Sequence, residues 1–232
     1  MTSEIDQLAY EEKQADYFQC TRSEMLPFVP KACKRILDVG CAEGAFGETL
    51  KKVFGAEVWG VEPVKSAAAV AVKRIDRVFE GVFSPESGLP VGTFDCIFFN
   101  DVLEHMLAPE AALRYAGGLL APGGVVVASI PNVRFFPVIW ELAVHGRWDY
   151  HDCGILDKTH LRFFTKSSIR TMFESEEFTL QSICGINAYW GLPNVSTRLW
   201  RAYRLANAIS LGSIDEMKFL QFVVVARPTK RN

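Results

Sequence analysis

A carboxylate placed just before a glycine-bearing turn is the feature of this sequence that most directly implies ligand chemistry. The run from Lys34 to Gly44 reads KRILDVGCAEG: a short apolar strand carries Asp38, breaks at Gly40, and leads to a helix that is predicted from Ala45. Backbone N–H groups at such a helix N-terminus usually bind anions. A carboxylate two residues before the first glycine would repel a diphosphate and attract a cation, so the turn predicts a ligand with positive charge.

The glycine spacing by itself leaves two other interpretations open. Read as G-x-G-x-x-G, the pattern falls on Gly40, Ala42 and Ala45, which is a degenerate form of the dinucleotide-binding fingerprint. An ordinary tight turn between a strand and a helix would show the same residues.

The rest of the chain alternates between apolar runs and helical patterns. Strands rich in β-branched and aromatic residues that alternate with helices predict an α/β fold with a doubly wound parallel sheet. Ligands of such sheets bind at the carboxyl ends of the strands. After the first strand, the predicted strands cover 57–61, 77–80, 94–99, 125–130, 178–185 and 219–226, and the predicted helices cover 45–54, 64–75, 109–120, 166–173 and 196–209.

Polar residues follow two further strands at the predicted ligand edge. Glu62, which precedes Pro63, ends the second strand 24 residues after Asp38, and Asn100 and Asp101 end the fourth. An acidic residue at about that distance from a glycine turn is suited to hold the two hydroxyls of a ribose. Polar groups at three strand ends make an accidental arrangement less probable than a ligand site.

Five segments together resemble the successive motifs of the class I S-adenosylmethionine-dependent methyltransferases. The likeness covers about residues 34–131, and the later run DKTHLRFFT (157–165) is similar to a segment of bacterial methyltransferases associated with polysaccharide, lipid or secondary-metabolite genes. The resemblance implies a Rossmann-like sheet of seven strands, with the last strand antiparallel between strands five and six and helices on both faces. The segments are 39–44, 60–62, 94–97, 101–105 and 120–124.

The resemblance also assigns roles around S-adenosyl-L-methionine as the cofactor. Glu62, followed by Pro63, would hold the ribose, and Asn100 and Asp101 would face the backbone around the sulfonium. The methionine part would be held by Asp38 and by the turn residues Gly40, Cys41, Ala42 and Gly44.

Two departures from the family pattern affect that cofactor site. Ala42 stands where family members usually carry glycine, which narrows the approach of the backbone to the ligand. Gly81 and Val82 follow the third strand, where an acidic residue often holds the adenine amino group. Adenine is then left to backbone groups, apolar contacts or another side chain.

The residues before the first strand predict a helical cap over the cofactor. This cap covers 1–33 and contains Tyr17 and Arg22, which are candidate cofactor contacts. A guanidinium matches a carboxylate geometrically, so Arg22 would suit the carboxylate of the cofactor. A solvated arginine on a surface helix is the alternative.

An insertion at 131–165 is predicted to recognise the substrate. A connection of this length in a compact domain is usually a binding loop or lid, and its aromatic and basic residues suit an aromatic ring and an anionic or hydroxylated group. His160 in the insertion and His105 after the fourth strand are candidate bases, although either could be a structural histidine. The histidine and cysteine spacing matches no compact zinc pattern, so no metal is predicted.

A second insertion, at 187–217, is predicted to form a lid-like helical segment. Its helix at 196–209 has an apolar side, on which we place Tyr203 and Ile209, and an opposite side that carries Arg198, Arg201 and Arg204. The pattern is typical of a packed helix with a solvated basic face. It also allows a lid, or a helix at a membrane surface, that meets a phosphate- or lipid-linked substrate.

Composition limits the classes of partner. The chain has 232 residues, a length that suits one large α/β domain, and the resemblance implies that 1–232 is a single methyltransferase domain. The net charge of −2 gives no general reason to bind nucleic acid. Its six cysteines are dispersed, and no signal peptide or membrane-spanning run is visible, so we expect a cytoplasmic protein with reduced thiols.

The combined prediction is an enzyme that transfers a methyl group to a small molecule. The expected acceptor is a hydroxyl group of a sugar, a glycolipid or a phenol. A nicotinamide-dependent oxidoreductase and a non-catalytic binding or scaffold protein on the same fold are the two alternatives.

Overall fold

A seven-stranded sheet forms the centre of the protein in a computed structural model that describes residues 21–191 and 196–229. The strand order is β3-β2-β1-β4-β5-β7-β6, with β7 antiparallel to both of its neighbours and the other strands parallel. This confirms the predicted topology. The strands are β1 (Arg35–Val39), β2 (Glu57–Glu62), β3 (Arg77–Glu80), β4 (Phe94–Asn100), β5 (Leu120–Pro131), β6 (Phe178–Ala188) and β7 (Phe219–Pro228).

Helices cover both faces of the sheet. Successive strand residues point to opposite faces. Leu37 packs in one core cluster with Leu113 and Phe173, whereas Ile36 packs in another with Leu50. The α-helices are α1 (Ala45–Phe54), α2 (Lys65–Ala71), α3 (Pro109–Leu119), α4 (Phe136–His145), α5 (Lys166–Ser175) and α6 (Thr197–Ile209).

The strand β4 shows why this sequence forms a buried parallel sheet. Its residues from Cys96 to Phe99 are all apolar and fully buried. A strand covered on both faces has no solvent side, so its sequence is continuously apolar rather than alternating. The polar Asn100 and Asp101 then follow where β4 leaves the core.

Two predicted boundaries are wrong by four or more residues. The helix predicted to 75 ends at Ala71, because the residues after it form tight turns, with Arg74 N–H bonded to the Ala71 carbonyl. The fifth strand begins at Leu120 rather than 125 and contains an irregularity, since Phe94 pairs with Leu120 but Cys96 already pairs with Val125. The predicted helix stop at 122–124 is therefore a bulge inside β5.

The insertion at 131–165 is more ordered than the loop that the sequence predicts. Its first half is the helix α4, whose Phe136 packs on Tyr203 of α6, with ring centroids 5.2 Å apart. Its second half runs back to the sheet, where Asn132 and Phe164 form an isolated bridge. The insertion thus joins α6 in a layer beside the sheet.

The predicted N-terminal cap is described only from residue 21. Within 21–33 there is one short 3₁₀ helix, Ser23–Phe28, rather than an α-helix. The side chain of Met25 from this segment is fully buried in the cluster that contains Leu50 of α1. The segment therefore packs on the sheet next to the glycine turn.

Each helix in the described part of the chain is too short or too polar to span a lipid bilayer. The cysteines in the described part of the chain are all free thiols.

Candidate active site

The glycine turn has the backbone conformation that its sequence predicts. Gly40, Ala42 and Gly44 have φ values of 69°, 49° and 79°, which lie in the left-handed region. A Cβ on Gly40 would lie 2.7 Å from Cγ2 of Val102, so only glycine fits there. The left-handed backbone conformation of Ala42 is unfavourable for any residue that carries a Cβ. Alanine in place of the family's usual glycine therefore costs conformational free energy at this position.

Glu62 connects the end of β2 to this turn. Its Oε2 accepts the N–H of Ala42 at 2.8 Å, and its Oε1 accepts the N–H of Val64 at 2.9 Å. Burial raises the pKa of its carboxyl, while those two hydrogen bonds oppose the shift. Each carboxylate oxygen can accept a second hydrogen bond, so Glu62 can still receive hydroxyls. Pro63 is exposed between the two contacts.

Asp38 and Asn100 present polar atoms that the protein does not satisfy. Within the described chain, Oδ1 of Asp38 and both side-chain polar atoms of Asn100 are buried without a hydrogen-bond partner. Burial, with the nearby Glu62, raises the pKa of Asp38 to about 7, and Arg22 opposes that shift. Unsatisfied buried groups are rare in folded proteins. Their presence beside the turn fits a ligand that supplies positive charge and hydrogen bonds.

Cys41 contributes to the turn through its backbone. Its side chain is buried and covers Gly60, since a Cβ on Gly60 would lie 2.4 Å from Cys41 Sγ. Burial and the neighbouring carboxylates Asp38 and Glu62 raise the pKa of the Cys41 thiol well above its usual range. The thiol therefore packs toward the core and stays protonated at neutral pH.

Arg22 and Asp101 meet at the ends of β4 and β5. Arg22 Nη1 donates to Asp101 Oδ2, and Nη2 donates to Ser129 Oγ at 2.8 Å. Gln221 on β7 donates to both carboxylate oxygens of Asp101 at 2.8 Å. The structure thus places Arg22 at the predicted edge, held by an ion pair with another candidate residue. Tyr17 lies outside the described residues.

The two candidate bases lie in one small pocket of about 90 Å³. The rings of His105 and His160 are 4.6 Å apart, edge to face. Nδ1 of His160 lies 2.9 Å from the Ile155 carbonyl, and Nδ1 of His105 lies 3.0 Å from the Thr159 carbonyl. A carbonyl only accepts, so both Nδ1 atoms carry the proton and both Nε2 atoms carry the lone pair in the neutral rings.

Glu104 is the acidic neighbour of this histidine pair. It is almost fully buried, and its Oε1 lies 3.9 Å from Nε2 of His160. One ligand atom from each of Glu104, His105 and His160 lies within 4.8 Å of the others, a group that could hold a metal ion. The sequence missed this group because the three residues are spread over two segments. The absence of a metal stays a prediction.

The basic residues of the insertion do not line the pocket. Arg134 pairs with Glu216, and Arg147 pairs with Glu141. Lys158 is exposed and lies 2.6 Å from an Asp152 oxygen. No lysine or arginine of the described chain lines the pocket, so of the anionic or hydroxylated group that the insertion was predicted to recognise, the pocket is better suited to the hydroxylated one. The residues that line it are Asp101, Glu104, His105, Pro131, Gly154, Ile155, Asp157, His160, Leu220 and Gln221.

Besides Glu104, three polar residues of this site were missed by sequence reasoning. Ser129 and Gln221 are buried polar residues within otherwise apolar strands, and that contrast is the signal that could have found them. Asp157 accepts hydrogen bonds from the backbone and side chain of Thr159, the latter at 2.6 Å. Its role depends on the fold of the insertion and had no separate signal.

A second cavity, of about 580 Å³, lies at the ends of β2 and β3. Its lining includes Phe79, Glu80, Gly81, Val82 and Glu86, together with two serines. Val82 stands where the family often has an acidic residue, but the cavity still offers two carboxyl groups beside its backbone groups, apolar side chains and serine hydroxyls.

Comparisons with known proteins agree with this geometry. A family model described as "Methyltransferase domain" matches residues 10–183. A ubiquinone biosynthesis O-methyltransferase of Nitrosococcus oceani is 31% identical over 173 residues, which are 67% of this chain and 68% of that protein. Another, from Psychrobacter arcticus, is 30% identical over 194 residues, or 76% and 74% of the two chains.

Solved structures show the same fold. The crystal structure of an S-adenosylmethionine-dependent methyltransferase from Archaeoglobus fulgidus superimposes with a TM-score of 0.65 at 16% identity, over 88% of this chain and 91% of that one. The family match, the fold and the unsatisfied polar atoms of Asp38 and Asn100 all agree with a methyltransferase that binds a cationic cofactor. The chain belongs to the methyltransferase family and is a class I S-adenosylmethionine-dependent methyltransferase.

Proposed function

We propose that this enzyme methylates a hydroxyl oxygen of a small, uncharged acceptor. The similar proteins of Nitrosococcus oceani and Psychrobacter arcticus are named as O-methyltransferases, which supports oxygen as the methylated atom. Family membership removes the nicotinamide oxidoreductase alternative. A phenol, a sugar or a lipid-linked hydroxyl compound remains the proposed class of acceptor.

The observation that carries the proposal is the pocket shared by Asp101 and the histidine pair. Asp101 directly follows the last residue of β4, Asn100, at the proposed cofactor edge, and it lines the same pocket as His105 and His160. A hydroxyl bound there would lie between the cofactor edge and two basic nitrogens. Methyl transfer is an in-line displacement, so that placement is what the reaction needs.

The bound cofactor supplies an electrophilic methyl group on sulfur. The protein's part is to orient the acceptor hydroxyl and to take its proton. Nε2 of His105 or of His160 is the proposed proton acceptor, because each Nδ1–H is directed to a backbone carbonyl. A proton arriving at His160 Nε2 would be stabilised by the Glu104 carboxylate, whose Oε1 lies 3.9 Å away.

The charge of the pocket indicates which acceptors fit. Three carboxyl side chains line it, and no lysine or arginine does so in the described chain. Asp101 is ion-paired with Arg22, so the acidic character comes from Glu104 and Asp157. An acceptor with a carboxylate or phosphate next to its reactive hydroxyl would be repelled. An acceptor with several uncharged hydroxyl donors would be favoured.

The residues proposed to hold the cofactor lie on three adjacent strands. Asp38 and Asn100 would contact the methionine part, together with the backbone of the turn from Gly40 to Gly44. Glu62 would accept from the ribose hydroxyls. The cavity beside Gly81 is the proposed place for adenine.

The test compares matched acceptors under one assay. Formation of S-adenosylhomocysteine and of methylated product is measured with uncharged catechols and glycosides, and with the corresponding catechol carboxylates and glycuronic acids. We expect turnover with members of the uncharged set, and a large loss in kcat with H105A or H160A while cofactor affinity is kept. Preferred methylation of the acidic compounds would contradict the proposed acceptor class.

A further inference from the structure

The outward side of α6 combines positive charge with exposed aliphatic groups. With 3.6 residues per turn, positions 198, 201, 204, 205, 208 and 209 fall within about 140° of the helix circumference. This outward face carries three exposed arginines, and on it Leu205 is 65% exposed and Ile209 is 75% exposed. Ile209 was predicted to lie on the packed side with Tyr203, so that prediction is wrong. The arginines are Arg198, Arg201 and Arg204.

The three arginines have no ionic partner within the described chain. The helix contains no aspartate or glutamate, and none of the ion pairs formed within residues 21–191 and 196–229 involves these arginines. Arg134 and Arg147, which belong to the neighbouring insertion, are by contrast each paired with a glutamate. Since the whole chain has a net charge of −2, the outward face is a local cationic surface on a slightly acidic protein.

The opposite side of α6 fixes how this face is presented. Tyr203 is 2% exposed, stacks on Trp200 with centroids 5.0 Å apart, and donates its hydroxyl to the Asp215 carbonyl at 3.2 Å. Phe136 of α4 packs on the same ring. The helix therefore cannot rotate to bury Leu205 and Ile209 without losing these contacts.

We propose that the outward face of α6 docks on the surface of an anionic lipid bilayer. A helix that lies in a membrane interface presents aliphatic side chains for burial among the lipid headgroups and basic side chains for the anionic lipids. Both kinds of side chain share one face here. Arg198 lies in line with Leu205 and Ile209 along the helix, and Arg201 lies about 40° to one side of Leu205, so charge attraction and apolar burial act on the same contact.

The position of α6 places such a contact close to the acceptor pocket. Leu199 and Trp200, from the packed side, belong to a cluster with Ile155 and Leu220. Ile155 and Leu220 also line the pocket. One layer of side chains thus separates the docking helix from the proposed acceptor site, which would suit an acceptor that partitions into lipid.

Vesicle co-sedimentation of the full chain tests the proposal without any assumption about the acceptor. We expect binding to phosphatidylcholine vesicles that contain phosphatidylglycerol, and little binding to phosphatidylcholine alone or at high ionic strength. The variant R198Q/R201Q/R204Q should bind roughly 100-fold more weakly, since each basic residue near an anionic surface contributes about fivefold. The variant L205S/I209S tests the aliphatic contribution.

A matched control separates the position of the charges from their number. Lys31, Lys73 and Arg227 are exposed and lie outside α6, so K31Q/K73Q/R227Q changes the net charge by the same amount. We expect this control to bind vesicles like the wild type. Equal weakening in both triple variants, or no binding of the wild type to the anionic vesicles, would overturn the proposal. S-adenosylmethionine affinity and thermal unfolding of each variant report whether the fold is kept.

Discussion

The cofactor edge and the acceptor pocket are adjacent, but they satisfy their polar groups in different ways. At the cofactor edge, Asp38 and Asn100 keep buried polar atoms without partners in the described chain. In the acceptor pocket, His105 and His160 are each oriented by a bond from Nδ1 to a backbone carbonyl. The first arrangement is completed by its ligand, and the second is preorganised by the protein. Cofactor binding should therefore depend on the charge of Asp38, and turnover on the orientation of the two histidine rings.

Removing the charge of Asp38 should have the largest effect. We expect D38A and D38N to lower S-adenosylmethionine affinity by at least about 100-fold, because a cationic ligand loses a buried counter-charge. Isothermal titration calorimetry measures this directly. D152N, which removes an exposed carboxylate of the insertion, is the control. Unchanged affinity in D38N would show that charge does not hold the cofactor.

The glycine turn should respond to steric crowding as well as to backbone strain. Gly40 and Gly55 have similar φ values of 69° and 65°, but a Cβ would clash with Val102 only at Gly40. G55A should cost about 1 kcal/mol of unfolding free energy, and G40A about 2–3 kcal/mol more. Urea unfolding measures both. Equal costs would mean that Val102 moves aside.

Cofactor binding should weaken in acid. The pKa of Asp38 in the free protein is raised to about 7, so the carboxyl is protonated below that pH and cannot balance a cation. Affinity should fall about tenfold from pH 8 to pH 6 and level off above pH 8. The effect of pH on the stability of the free protein is the opposite of its effect on cofactor affinity. Because the pKa of Asp38 is higher in the folded protein than in the unfolded chain, the unfolding free energy of the wild type, relative to D38N, should fall as the pH rises from 4 to 7. A flat affinity profile would contradict the assignment.

Removing a hydrogen bond that orients His105 in the acceptor pocket should lower turnover without changing cofactor affinity. T159V removes the hydroxyl that joins Asp157 to His105, but keeps the backbone carbonyl. We expect kcat to fall about fivefold, as for one lost orienting hydrogen bond, with cofactor affinity unchanged. Steady-state kinetics with a turned-over acceptor checks this. A matching loss of cofactor affinity would show that the two sides are not separable.

The smallest expected effect is that of metal removal. Although Glu104, His105 and His160 could together hold an ion, we expect EDTA to leave turnover unchanged. Metal analysis of the purified protein accompanies the assay. Loss of activity that a divalent ion restores would replace the base assignment with a metal site.

The cofactor edge was predictable because it is built by local sequence. Strand, turn and helix follow one another in 35–54, and the carboxyl ends of parallel strands must meet at one edge. Asp38, Glu62 and Asn100 could therefore be placed together from strand patterns alone.

The acceptor pocket was only partly predictable because long-range contacts build it. His105 and His160 were identified as candidates, but their 4.6 Å ring contact joins segments 55 residues apart. The helix α4 was missed since its outer residues include the apolar Leu142 and Val144, which obscure the helical period. The orientation of Ile209 also depended on packing with α4, which the sequence did not reveal.

The antiparallel strand β7 has a consequence for how the enzyme becomes active during synthesis. Leu220 and Gln221 complete the pocket, and Gln221 holds Asp101 across 120 positions of sequence. This strand leaves the ribosome after all the others and must insert between β5 and β6. Pairing over such a separation is slow. A nascent chain could therefore complete its cofactor edge early, but it would gain the acceptor pocket only in the last step of folding.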